Sequence, residues 1–265
     1  MAKTPHDRGK TETGDAIAEV RYVTTESDPL LPGEGARPEI QETAVDLKSF
    51  RIHLADGDEC LNSANMLINR MYSWRGYTTS HHTPASPNLI TLVATENQSV
   101  IGTISISFDS PTGILADETY EDEINIFRRR GSRICEFTKL AFDPNVRSKQ
   151  VLASIFHVAF IYARHIRKCT DLIIEVNPRH RRFYESLLGF KRHGKIKNNP
   201  RVNAPAVLLW LDLGYAEHQI QKFGGSNSQP GSEKSLYPYF FSHREEEGIA
   251  HRLLDLNRGG REMVC

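Results

Sequence analysis

The sequence predicts an α/β fold, one mixed central sheet with helices on both sides, and three observations predict it. Two alternating runs, residues 88–94 and 100–108, flank a polar turn and read as an antiparallel hairpin. A strand–helix–strand–helix–strand series follows, and a crossover of that kind sets neighbouring strands parallel. The helix inside the crossover, about residues 150–168, is apolar on most of its surface (Val151, Leu152, Ile155, Phe156, Ala159, Phe160, Ala163), so a sheet must cover it.

Taken in order, residues 1–44 are polar and rich in Gly, Pro, Thr and Glu without an apolar period, and are expected to be a disordered extension. Alternation over residues 45–54 predicts the first strand, and Asp56 or Asp58 then caps a helix through Leu61, Met66, Leu67 and Met71. The hairpin comes next. Residues 117–130 run from carboxylates to arginines, the order the helix dipole favours, and predict an exposed helix. A strand over residues 134–142 stops at Asp143-Pro144-Asn145, and the apolar helix leads to a short buried strand over residues 172–176. Pro178 opens a helix that Gly189 ends. Residues 190–196 and 206–213 are the expected last strands, and residues 215–223 a short helix. One domain over residues 45–225 is therefore expected, followed by a linker and tail over residues 226–265. The cluster Tyr237-Pro238-Tyr239-Phe240-Phe241 in that tail is expected to pack back on the domain, because exposed aromatic clusters are costly.

Composition narrows the function. The four cysteines are far apart and form no C-x-x-C pair, which argues against a disulfide framework or a structural metal site and fits a reducing compartment. The first residues have no apolar signal-peptide core, and the longest near-apolar run is too short for a bilayer, so no membrane span and a cytoplasmic location are expected. The formal net charge is zero, yet residues 128–201 hold 18 Lys and Arg against 5 Asp and Glu. Such segregation suits an anionic partner, or else acidic flanks folded over a basic middle.

The phrase Asn177-Pro178-Arg179-His180-Arg181-Arg182-Phe183-Tyr184-Glu185, closed by Gly189-Phe190, resembles in this element order the GNAT acyltransferase superfamily. The phrases Cys135-Glu136-Phe137-Thr138-Lys139-Leu140-Ala141-Phe142-Asp143, Val176-Asn177-Pro178-Arg179-His180 and Arg201-Val202-Asn203-Ala204-Pro205 are similar to the long-chain N-acyl amino acid synthases, cousins of the acyl-homoserine-lactone synthases. So is Arg70-Met71-Tyr72-Ser73-Trp74-Arg75-Gly76-Tyr77. The resemblance covers about residues 47–223.

The resemblance implies a thioester laid between two splayed strands, with no permanently bound cofactor. The donor it implies is an acyl-phosphopantetheine on acyl carrier protein, coenzyme A being the alternative, and the acceptor is an amino acid. Tyr184 would be the general acid and Glu136 the base, with His180 in reserve. Backbone N–H groups of Leu140, Ala141 and Phe142 would face the oxyanion. Asn177 marks the end of the strand that borders the gap. Members of the superfamily carry a Gly-rich R-x-x-G-x-G/A loop for a pyrophosphate, where this chain has Arg147-Ser148-Lys149-Gln150-Val151-Leu152. Without the glycines, Gln150 and Leu152 are expected to crowd a pyrophosphate, while Arg147 and Lys149 beside a helix N-terminus suit the single phosphate of a carrier protein. The carboxylate of the acceptor would be held by Arg70 or Arg75, with Trp74 and Tyr77 shaping the pocket.

Two other readings compete. One is a GNAT N-acetyltransferase that uses coenzyme A, which the missing glycines oppose. The other is a basic module that docks nucleic acid, which the zero net charge and the core-period spacing of the aromatics oppose.

Overall fold

A computed structural model describes residues 16–24, 46–74, 76, 86–146, 148–226 and 233–262. Its strands are β1 (Ala18–Thr24), β2 (Asp46–Leu54), β3 (Leu89–Glu96), β4 (Ser99–Phe108), β5 (Ile134–Phe142), β6 (Asp171–Val176), β7 (Lys191–Arg192), β8 (Lys197–Asn199) and β9 (Ala204–Asp212). The helices are α1 (Asp58–Trp74), α2 (Asp117–Arg129), α3 (Lys149–Ile161), α4 (Arg181–Leu188), α5 (Leu213–Phe223) and α6 (His243–Glu262). The strands form one sheet in the order β1-β2-β3-β4-β5-β6-β9-β7, with β8 also paired to β9. Among the described residues only β5 and β6 pair in parallel, as the α3 crossover between them requires.

Local chemistry places these elements. The β3–β4 hairpin turns on Asn97 and Gln98 at φ 48° and 66°, the left-handed pair that matches the twist of the strands. Gly189 at φ 78° ends α4 as a left-handed cap. Helix α3 is buried from Val151 to Ile161 between the sheet and the C-terminal segment.

Four expectations need correction. The segment read as disordered contains β1, which pairs antiparallel with β2 from Ala18↔Ile52 to Thr24↔Asp46. Its inward residues Ala18, Val20 and Tyr22 alternate with Glu19 and Arg21, but Gly- and Thr-rich flanks hide the period. Helix α2 is not simply exposed: Tyr120, Ile124 and Phe127 bury one stripe against Ile134, Ile173 and Leu208. Residues 190–196 give only the two-residue β7, because Arg192 Nε turns back to donate to Gly194 O at 2.6 Å. Leu152, expected to crowd the loop before α3, is in the main core at 4% exposure.

The tail packs into the same core. Leu236, Tyr237, Phe240, Phe241, Ile249 and Leu253 are all buried there. The Phe241 N–H donates to Nδ1 of the fully buried His157 at 2.9 Å, and the Tyr237 hydroxyl donates to Leu188 O at 2.7 Å. No helix among the described residues is long and apolar enough to cross a membrane.

Candidate active site

The parallel ladder between β5 and β6 has only three pairs: Ile134↔Asp171, Cys135↔Leu172 and Glu136↔Ile173. Past Glu136 the strands part. Phe137, Thr138, Ala141 and Phe142 keep partners in β4, and Ile174 to Val176 keep theirs in β9, so each strand stays in the sheet while a gap opens between them.

Glu136 stands at the apex of this split. Alternation turns Cys135 and Phe137 into the main core and Glu136 to the opposite face, beneath the start of α2. Its Oε2 lies 3.4 Å from Ser107 Oγ and 3.4 Å from the Ala116 N–H, both donors. The residue is 1% exposed. Burial pushes its carboxyl up to about 7; Arg201 pulls it down and Glu175 pushes it further up.

Beyond Glu136 the alternation breaks. Thr138 pairs with Ser105 and Ala141 with Thr103, so β5 has one residue more than β4 in that interval. The bulge holds Lys139 at φ 51°, and Thr103 Oγ1 donates to its carbonyl at 2.8 Å. Burial brings the Lys139 ammonium down to about 8. Leu140, Ala141 and Phe142 follow the bulge at the end of β5. The Phe142 ring lies over Gly102, where a Cβ would come within 2.6 Å of it, so any side chain there would have to displace the ring.

At the start of α3, Ser148 Oγ accepts from the Val151 N–H at 3.4 Å and caps the helix. Gln150 turns to the tail, its Nε2 donating to Tyr239 O at 3.0 Å and to Ser154 Oγ at 3.3 Å. Lys149 Nζ lies 5.9 Å from the Tyr239 ring centroid. Arg147 lies outside the described residues, as do Arg75 and Tyr77.

On the other side of the split, Asn177 Oδ1 accepts from the Arg179 N–H at 3.2 Å and caps a turn of 3-10 helix, Pro178–His180. Arg179 Nε donates to His180 Nε2 at 3.1 Å, which fixes that nitrogen as an acceptor. Tyr184, on α4, is half-buried with its ring edge-on to Phe183 (5.1 Å) and Phe190 (5.8 Å). Arg70 and Trp74 sit at the end of α1. Arg70 pairs with Asp143 at 2.7 Å, and the two residues line an open cleft of about 420 Å³ with Met71, Trp74, Pro144 and Asn145. Trp74 is 75% exposed.

Thus Glu136 and the N–H groups expected to face the oxyanion lie on one strand at the split, whereas Arg70 and Trp74 border a separate cleft beside Asp143. Sequence reasoning missed Glu175 and Arg201. Arg201 Nη2 meets Glu175 Oε2 at 2.7 Å, and its Nη1 meets Glu118 of α2 at 3.1 Å. The signal for Glu175 was a glutamate inside the apolar run Leu172-Ile173-Ile174-Glu175-Val176. Among the described residues no group of three or more His, Cys, Asp and Glu is placed to hold a metal ion.

Comparison with known proteins adds to this geometry. The sequence profile of one family, the N-acyl amino acid synthase FeeM, matches residues 63–212. The solved structure of FeeM, an N-acyl amino acid synthase from uncultured soil microbes, is 26% identical with a TM-score of 0.58, over 64% of this chain and 93% of that one. The acyl-homoserine-lactone synthase LasI is 13% identical with a TM-score of 0.46, over 63% of this chain and 91% of that one. An acyl-CoA N-acyltransferase from Pseudomonas aeruginosa is 10% identical with a TM-score of 0.45, over 61% and 97%. No curated protein sequence matches.

Proposed function

The chain belongs to the N-acyl amino acid synthase FeeM family and is an N-acyltransferase with a GNAT fold that takes an acyl thioester, and from that membership we propose its substrates and the roles of its residues. The donor is a long-chain fatty acyl group on acyl carrier protein, and the acceptor is the α-amine of a free amino acid. The observation that carries this reading is the three-pair ladder that ends at Glu136, with a buried carboxyl near pH 7 at the apex of the split.

The acceptor arrives as an ammonium and cannot attack until it loses a proton. Glu136 takes that proton, and a carboxyl near 7 is suited to both hold and release it at neutral pH. The amine nitrogen then bonds to the thioester carbon, and N–H groups of residues 140–142 hold the oxyanion. When the carbon–sulfur bond breaks, Tyr184 gives its proton to the departing thiolate, and the second proton lost by the nitrogen as it becomes an amide restores the tyrosine hydroxyl. His180 is the weaker candidate for the base, since the Arg179 guanidinium occupies its Nε2.

The choice of carrier protein rests on the basic segment of residues 128–201, the loop without glycines, and the Gln150 amide engaged with the tail. An acidic carrier helix would meet Arg147 and Lys149. Reversing both to Glu should raise KM for acyl carrier protein about tenfold or more, as loss of steering charges does, and leave KM for acyl-pantetheine nearly unchanged. Equal losses with both donors would contradict docking at this loop.

A further inference from the structure

The face of the split that carries Glu136 holds a second buried carboxylate that the proposed reaction does not use. Glu175 lies on β6, two residues past Ile173, so alternation turns it to the same face. Its side chain is 4% exposed. Oε2 accepts from Arg201 at 2.7 Å, but Oε1 is buried without a hydrogen-bond partner. On β5, two residues past Glu136, Thr138 Oγ1 is also buried without a partner. Carried past the last pair, the register sets Thr138 opposite Glu175, one on each lip of the opening split.

Buried polar atoms in native proteins find partners, and each exception calls for an explanation. Two exceptions that face one another across a gap, beside the expected base, call for a common one. Charge says what kind of group fits. Glu136 and Glu175 are both buried, and Arg201, the cation that draws the Glu136 carboxyl down, already bonds Glu175 Oε2, Glu118 and Leu115 O. A carboxylate oxygen only accepts, so its missing partner is a donor, and a cationic donor offsets the surplus negative charge.

We propose that Glu175 Oε1 and Thr138 Oγ1, together with Glu136, bind the ammonium group of the acceptor. The three N–H bonds of a primary ammonium match these three acceptors, and one of its protons is then already directed at Glu136. The substrate class is a primary alkylammonium, α-amino acids included. The assignment rests on the reading of the split as the acyl-transfer site. It also separates the two ends of the acceptor: the ammonium is held under α2 at the split rather than in the cleft beside Arg70.

Equilibrium titration tests this without needing turnover. The probes are the common amino acids, butylammonium, and butyrate as a carboxylate without an amine. Wild type should bind the ammonium-bearing probes and not butyrate. Glu175→Gln keeps an oxygen for Arg201 but puts an amide NH2 or an uncharged oxygen before the ligand, and should weaken ammonium binding about 10–100-fold. Thr138→Val preserves shape, leaves Arg201 alone, and should weaken binding about threefold or more, which decides the matter if Glu175→Gln fails to fold. In turnover the acceptor KM should rise in both variants while the donor KM stays fixed, a split that a merely structural role would not produce. Ammonium affinity equal in wild type and both variants, or undetectable in wild type, overturns the site. Intact ammonium binding without any acyl transfer overturns the reaction instead.

Discussion

Replacing Tyr184 by Phe should lower kcat by about 10²–10⁴-fold, the usual range for losing a general acid, while the protein keeps its fold. Phe retains the ring and both edge-on contacts, to Phe183 at 5.1 Å and Phe190 at 5.8 Å, so packing on α4 hardly changes. What disappears is the proton proposed for the departing thiolate. Steady-state kinetics with a melting curve separate the two effects. Undiminished kcat would return Tyr184 to a packing role. A large fall in melting temperature would show that its hydroxyl supports the fold.

Glu136→Gln should show an equally large loss near pH 7, and its dependence on pH identifies the mechanism. In wild type, kcat/KM should rise as pH passes through about 7, as Glu136 sheds its proton. The variant has no such group, and its deficit should shrink at high pH, where more acceptor is already a free amine. A deficit that does not change with pH would transfer the base to His180 or to water. Stability supplies an independent check. Folding raises the Glu136 carboxyl from 4.5 to about 7, so the folded state holds a proton that the unfolded chain has released. Wild type therefore loses stability as pH rises through that window, by about 3 kcal/mol in all. The variant escapes this loss, so its melting temperature should gain on that of wild type between pH 4.5 and 7. Arg201 and Glu175 face the same carboxyl, and neither is changed by the substitution.

How much of this was legible in the sequence depends on how local each cause is. The β3–β4 hairpin, β5, α3, β6 and the Gly189 cap are written in nearby residues, and the expected elements match. β1 was missed because its partner β2 begins 22 residues after it ends, across a stretch with no apolar period. The buried stripe of α2 was overlooked because carboxylates and arginines outnumber Tyr120, Ile124 and Phe127. The split was reached only through resemblance, since a ladder that stops after three pairs leaves no periodicity. Glu175 and Arg201 are 26 residues apart and meet through sheet pairing, which no local pattern reveals.

Resemblance also named Arg70, Arg75, Trp74 and Tyr77 for the acceptor. Of these, Arg70 and Trp74 line the cleft beside Asp143, at the far end of β5 from Glu136. An acceptor that used both regions would have to span the bulged end of β5. The binding site proposed at Glu175 needs only the split itself.

The most direct test of the whole account is a reaction of purified protein with long-chain acyl carrier protein and a mixture of the common amino acids, read by mass spectrometry. The account predicts N-acyl amino acids bearing the fatty chain of the donor, formed from the carrier thioester. Acetylation of amines from acetyl-coenzyme A, with long-chain thioesters left untouched, would contradict it.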